Sequence, residues 1–562
     1  METNSFDVQV TLLRTHQLRV TWADHLPTIY PNGLEGARWL QDGNGWTIPA
    51  LGATDLMLWL RTRHPDLRVS FDRGSATLIF EALQREANTN ELAIAEDGDT
   101  PEVLSVPSRN FQRAALAYLL RGNPRKIVAL DTGLGKTFVA AAYTNIRQAR
   151  TLWITKAALD ENLMCEIHKL TGLKATRLIG TIPSPTAQHI LLDTSVQHIV
   201  MTYEQLASGI RKTETGDSIS LWGYMLSVSP FDLLVCDEAH NLRNRSSNRY
   251  HVVSMLAKSI PSALLLTATP LVNNGDDLFS LLHLLDKSTF GSLVEFQRMY
   301  TSYNGKTIRN PEKLRRDLLP FMFRRDKKEV LKDLPPVIRS THNVNLDDEW
   351  RKKYLDIMQG IYRDLAGRIT DVPNSVLAQI TRCRQVCSAA KVEHTVELAR
   401  NLEEQGEKCL VFTAFKETSE VLAKELFCDV INGDVDKENR IRIRDRFMND
   451  PNVKHLVLTL GTGGEGLTLT KATAAIMNDY AWTPIAHQQA EGRAWGRLND
   501  LHGLLVYYVS ISNTVDEFML QTLKRKQTMI DQAVDGQRSF AEANASMLSD
   551  FIAYVVENKG RL

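Results

Sequence analysis

At 562 residues the chain is too long for one hydrophobic core, which stops growing near roughly 250–300 residues, and typical domain sizes suggest about three or four domains. Apolar residues make up 43% and charged residues 23%, which excludes wholesale disorder, and no apolar run approaches the roughly 20 residues a membrane helix needs. Basic and acidic residues balance at 66 each, so any nucleic-acid binding must come from local basic faces rather than bulk charge. Residues Met1 to Ser5 carry neither a basic nor an apolar export signal. Six scattered cysteines do not make a disulfide framework, so the expected location is a reducing cytoplasm, bacterial or, for a virus, that of its host.

Alternation over Val8–Leu12 and Leu18–Trp22 predicts strands, Leu56–Leu60 a short helix and Ala76–Phe80 a further strand. These make a small α+β domain, residues 1–85, holding four of the nine tryptophans, Trp22, Trp39, Trp46 and Trp59. The tryptophans could stack on unpaired bases, but filling the core of the domain is the favoured reading. From Glu86 to Glu102 there are six acidic residues and no basic ones, which reads as an acidic linker over 86–105.

Beyond it, short apolar strands alternate with helical stretches. They occur at Lys126–Leu130, Thr151–Thr155, His198–Thr202 and Leu233–Cys236, and again at Lys408–Phe412 and His455–Thr459. Such alternation predicts parallel sheets covered by helices. The fold class is therefore α/β, with two parallel-sheet lobes at 106–289 and 396–545. A helical insertion and linker is expected at 290–395 and a tail at 546–562.

The first lobe carries the chemistry. Asp131-Thr132-Gly133-Leu134-Gly135-Lys136-Thr137 lies between a strand and a helix, where glycines let backbone N–H groups wrap a phosphate and the helix N-terminus favours negative charge. Lys136 would reach the β- and γ-phosphates of ATP, and the Thr137 hydroxyl would ligate Mg2+. The strict pattern wants glycine where Leu130 stands, so the match is to a helicase-style variant. Asp237-Glu238-Ala239-His240 closes the strand Leu233–Cys236. There Asp237 would hold the metal and Glu238 would position the attacking water. Leu266-Thr267-Ala268-Thr269-Pro270 reads as a strand ending in two hydroxyls.

In this order the motifs resemble the superfamily-two helicases, and within them the Swi/Snf-like translocases, over about Pro107 to Lys526. Phe111-Gln112 is similar to the adenine-recognition motif. Thr151–Glu166, containing Lys156, and Thr202-Tyr203-Glu204 look like segments that contact nucleic acid. Phe323-Arg324-Arg325-Asp326-Lys327 through Leu334-Pro335-Pro336 resembles the linker of the Swi/Snf branch. In the second lobe Val411–Phe415, with Thr413, resembles the fourth motif. Gly461–Leu469, with Thr462, Gly464 and Glu465, resembles the fifth. Trp482-Thr483-Pro484 with Gln488–Arg493, including Gln489, resembles the sixth. The resemblance implies that Phe111, Gln112, the loop from Asp131 to Thr137, Gly464 and Glu465 bind the nucleotide. It further implies that Lys156, Thr202, Tyr203, Thr413, Thr459, Thr462 and Trp482 meet nucleic acid, and that Arg493 delivers an arginine to the γ-phosphate. The family places its second arginine three residues after the first; here Gly496 stands there and the arginine is Arg497, four on.

Cys383 and Cys387 lie one helical turn apart but lack a second ligand pair, so they read as buried apolar residues rather than a zinc site. Arg440, Arg442, Arg444 and Arg446 alternate with apolar residues and read as an exposed helix face. The expected function is an ATP-dependent translocase on double-stranded DNA that remodels branched DNA by fork reversal, branch migration or annealing. Removal of a DNA-bound protein such as RNA polymerase is the alternative. A reading from another class is a nucleotide-gated DNA-binding scaffold without turnover. The expected cofactors are ATP and Mg2+. The expected partners are double-stranded or branched DNA and, for the alternative, a DNA-bound protein. No membrane is involved and the chain acts as a monomer.

Overall fold

The computed structural model describes residues 6–13, 17–23, 28–31, 37–40, 45–49, 53–64, 66–121, 123–208, 210–212, 218–268, 270, 275–286, 290–301, 308–309, 311–366, 372–461, 467–495 and 502–535. The chain divides into two compact units, the first mainly Met1–Asp131 with Gly135–Arg325 and the second mainly Asp326–Ile530. Among the described residues no helix is long and apolar enough to cross a membrane.

The first unit begins with a five-stranded sheet of β1 (Val8–Leu12), β2 (Gln17–Trp22), β3 (Arg38–Trp39), β4 (Trp46–Pro49) and β5 (Val69–Phe71), in the order β3-β4-β2-β1-β5. Helices α1 (Ala53–Arg63) and α2 (Arg73–Ile94) accompany it. Val8, Val10, Leu18 and Val20 alternate inward and meet Trp46, Leu56 and Trp59 in a core of their own. Each such side chain contributes roughly 1.5–3 kcal/mol by leaving water. The four tryptophans divide: Trp46 and Trp59 fill this core, whereas Trp39 is 43% exposed and meets Trp22 edge-on.

The segment Ala76–Phe80 is not a strand but part of α2. Its start is set by Asp72, whose carboxylate accepts the backbone N–H of Ser75, a helix cap whose residue type was visible but whose apolar run was misread as strand. The same helix corrects the linker reading, because it runs on to Ile94. The rest of that segment is held against the first lobe. Asp97 takes two bonds from Arg113 at 2.9 and 2.7 Å, Glu102 accepts the backbone N–H of Ser108 at 3.0 Å, and Val103 O accepts Asn145 Nδ2 at 2.8 Å. Asp97 and Glu102 are thus partners of specific donors, which composition could not reveal.

The small domain is also fastened directly to the lobe. Asp55 pairs with Lys313 and with Arg316, the latter at 2.8 Å, and Gln17 Nε2 donates to Glu295 Oε1 at 2.9 Å.

The first lobe's sheet is parallel. It comprises β6 (Arg125–Leu130), β7 (Thr151–Thr155), β8 (Ala175–Arg177), β9 (His198–Thr202), β12 (Leu233–Cys236), β13 (Ser262–Leu266) and β14 (Met322–Arg325), in the order β14-β6-β13-β12-β7-β9-β8. A short antiparallel hairpin, β10 (Ile210–Lys212) and β11 (Ser218–Ser220), is inserted after β9. Strands β7, β9, β12 and β13 are buried at every position, as expected when helices cover both faces. Strand β13 stops at Leu266, before the two hydroxyls assigned to it from sequence; Thr269 lies outside the described residues.

The second unit holds β15 (Val337–Val344), β16 (Cys409–Thr413), β17 (Asp429–Ile431), β18 (His455–Thr459), β19 (Ala474–Met477) and β20 (Leu504–Ile511), parallel and in the order β15-β20-β19-β16-β18-β17. The stretch 290–395 is therefore no single helical insertion: β14 closes one sheet and β15 edges the other. Strands such as Val337–Val344, mostly polar and exposed or half-buried throughout, carry no long apolar run to announce them. Cys383 and Cys387 are fully buried in the second lobe's core. In the arginine run, Arg440 donates to the carbonyls of Val435 and Asn432 while Arg446 pairs with Asp429.

Candidate nucleotide site and nucleic-acid face

Strand β6 delivers the chain to Asp131 and helix α4 (Lys136–Arg147) leads away from it. The turn between them needs positive φ at Gly133 (81°) and Gly135 (84°), a region open to glycine at little cost. Helix α3 (Asn110–Leu120) brings Gln112 against the loop: a Cβ on Gly135 would come within 2.7 Å of Gln112 Nε2. Gln112 also accepts the N–H of Arg109 at 3.0 Å, and Phe111 beside it is buried. The far end of α3 is held by Lys126 of β6, whose ammonium donates to the carbonyls of Tyr118 and Arg121. Lys136 Nζ donates to Leu130 O at 3.2 Å, while Thr132 and Thr137 are half-buried and Leu134 is buried.

The acidic pair stands at the end of β12. Thr155 Oγ1 donates to Asp237 Oδ2 at 3.2 Å, and Tyr203 donates its hydroxyl to Asp237 O at 2.8 Å. Glu238 takes a left-handed φ of 47°, a strained conformation for a residue with a side chain, which brings its Oε2 within 3.2 Å of His240 Nδ1. Burial, and then the charge of Glu238, push the Asp237 carboxyl up against the opposing charge of Lys136. Burial would raise Glu238 too, but the His240 contact and the Lys136 charge outweigh it and hold that carboxyl down. A half-buried carboxylate with one hydroxyl donor, beside a loop of bare backbone, fits a magnesium-bound polyphosphate. Among the described residues no three His, Cys, Asp or Glu gather as a metal cage.

Several expected nucleic-acid contacts are turned inward. Thr202 is buried and its hydroxyl accepts Gln205 N, capping the helix Tyr203–Ala207. Tyr203 is 1% exposed and its hydroxyl is spent on Asp237. Thr413 is fully buried and donates to Asp479. The hydroxyls of all three are thus engaged within the protein. Lys156 is half-buried, and its charge helps hold the Glu238 carboxyl down.

Thr459 and Trp482 remain half-buried at the carboxyl ends of the second sheet. Sequence spacing did not single out Arg384, which lies over the rings of Phe415 and Trp482 at 5.4 and 4.7 Å and donates to Tyr480 O at 2.7 Å. Gln489 and Arg493 lie on the helix Pro484–Ala494, with Gln489 half-buried and Arg493 9% exposed. Thr462, Gly464, Glu465 and Arg497 lie outside the described residues.

A model of the SNF2-related domain matches residues 111–392, and one of the helicase conserved C-terminal domain matches residues 390–498. The chain belongs to the SNF2-related family. Curated SNF2 relatives include the CHD3-type chromatin-remodeling factor PICKLE of Arabidopsis thaliana, 30% identical over 60% of this chain and 26% of that protein. The DNA annealing helicase and endonuclease ZRANB3 of Bos taurus is 25% identical over 79% of this chain and 42% of its own. The putative ATP-dependent helicase/translocase YwqA of Bacillus subtilis is 24% identical over 79% and 50%. This SNF2 chain therefore spans between about a quarter and a half of those relatives.

Proposed function

We propose that this chain is an ATP-driven translocase on double-stranded DNA that remodels branched DNA by fork reversal, branch migration or annealing. The observation that carries the motor reading is the glycine turn backed by Gln112, together with the charge of Lys136 felt at Asp237 and Glu238. The branched-DNA output is supported by the ZRANB3 relative, a DNA annealing helicase matched over 79% of this chain.

The loop N–H groups and Lys136 bind the polyphosphate of ATP. Thr137 and Asp237 hold Mg2+, which when bound neutralises charge on the phosphates. Glu238 orients the attacking water. Arg493 stabilises charge that grows on the transferred phosphoryl group, an interaction strongest in the transition state. Motor lobes that grip the DNA backbone are largely indifferent to sequence.

The test is steady-state ATP hydrolysis compared across linear duplex, single-stranded, forked and four-way DNA. Stimulation by duplex, and greater stimulation by forked and four-way DNA, is expected. Hydrolysis indifferent to every DNA would overturn the motor reading. Equal stimulation by linear and branched duplex would overturn the branched-DNA output and leave protein displacement as the better account.

A further inference from the structure

The helix Pro484–Ala494 carries a carboxylate to which the steps above give no part. Glu491 is buried, yet both its oxygens are engaged: Oε1 accepts Arg339 Nε and the Tyr508 hydroxyl, each at 3.0 Å, and Oε2 accepts Arg339 Nη2 at 2.6 Å. With Glu491 buried and the Arg339 side chain 47% exposed, such an ion pair adds little net stability over apolar side chains of equal size. What the planar guanidinium fork supplies is orientation. His487, one turn earlier on the same face, packs on the Tyr508 ring at 5.6 Å. Arg493 stands two residues beyond Glu491, about 200° round the helix, so fixing this face fixes where Arg493 points.

The other side of Arg493 is held as well. Trp495 Nε1 donates to Pro335 O at 3.0 Å, and the Lys327 ammonium lies 4.6 Å from the Trp495 ring centroid. Lys327, Pro335 and Arg339 all belong to the stretch that leaves β14 and becomes β15.

We propose that Arg339, Tyr508 and Trp495 are positioning residues for Arg493, through which the chain segment from Lys327 to Arg339 sets the aim of that arginine. The inference rests on the role given above to Arg493.

It is tested by DNA-stimulated ATP turnover of the full chain, with melting temperature measured alongside. The double variant Arg339→Met with Glu491→Met removes both charges, so its melting temperature should stay near that of the parent. Its kcat should fall by about tenfold or more, as small misplacements of a reacting group can cost, while KM for ATP stays within about twofold. Trp495→Phe keeps a ring for Lys327 but loses the bond to Pro335, and should lower kcat in the same way. Parental kcat in both variants would overturn the proposal. Should the double variant melt early, Tyr508→Phe decides, since it deletes one hydroxyl: a lower kcat at unchanged melting temperature supports positioning, and parental kcat refutes it. Arg493→Ala separates the two layers, because parental turnover in that variant would sink the role of Arg493 itself.

Discussion

The carbonyl of Arg325 accepts the backbone N–H of Asp131, first residue of the phosphate loop, at 3.2 Å. The guanidinium of the same residue donates to Ala93 O at 2.9 Å and Ala95 O at 2.6 Å. One residue of β14 thus joins the end of α2 to the start of the nucleotide site. Arg325→Ala should cost about 1.5–3 kcal/mol through the lost charged bonds. It should lower the first lobe's melting transition by several degrees and raise KM for ATP. Calorimetry beside steady-state kinetics checks both, and an unchanged thermogram would show the join to be idle.

Gly135→Ala should damage nucleotide binding more than stability. A methyl group there meets the Gln112 amide, at a φ of 84° that costs an alanine about 1–2 kcal/mol. Binding of a fluorescent ATP analogue should weaken about tenfold or more, by the roughly 1.4 kcal/mol per decade of affinity. Gln112→Ala should weaken it less, since the turn survives.

Glu238→Gln should leave ATP binding intact and slow turnover by about a hundredfold or more, the usual scale for a lost acid–base or water-orienting group. Lys136→Ala should instead weaken binding. Hydrolysis at the parental rate by Glu238→Gln, with DNA present, would reassign the water-positioning role.

His487 makes the second lobe acid-sensitive. Burial holds its pKa down at about 4, and its Nε2 accepts the Ala481 N–H at 3.0 Å, which only the neutral ring can do. The unfolded chain binds that proton near the ordinary value of about 6.5. Stability present above that pH is therefore lost progressively as pH falls towards 4. His487→Gln keeps an acceptor without the titration, so its melting temperature should drop less between pH 7.5 and 5.5. An equal drop in both proteins would remove His487 from the account.

The buried parallel strands were legible because both faces of such a sheet demand apolar residues, and the turn from β6 to α4 because Gly133 and Gly135 stand where the backbone takes a positive φ. What escaped were pairings between distant residues. Nothing near Glu491 points to Arg339, 152 residues away. Nothing in the acidic run from Glu86 names Arg113 or Ser108 as its partners. Nor does the sequence show that the hydroxyls of Thr413 and Tyr203 are bonded to Asp479 and to the Asp237 carbonyl.

The fastening of residues 95–108 along the first lobe bears on how such chains could be recombined. A hinge can be cut and rejoined anywhere, but here a swapped amino-terminal module would arrive without Asp97 for Arg113, Glu102 for Ser108 or the α2 carbonyls for Arg325. A working chimaera would have to carry its own α2 and following segment as far as Ser108, together with the arginine that receives them. Limited proteolysis should likewise pass over the acidic run that composition marks as the natural place to cut.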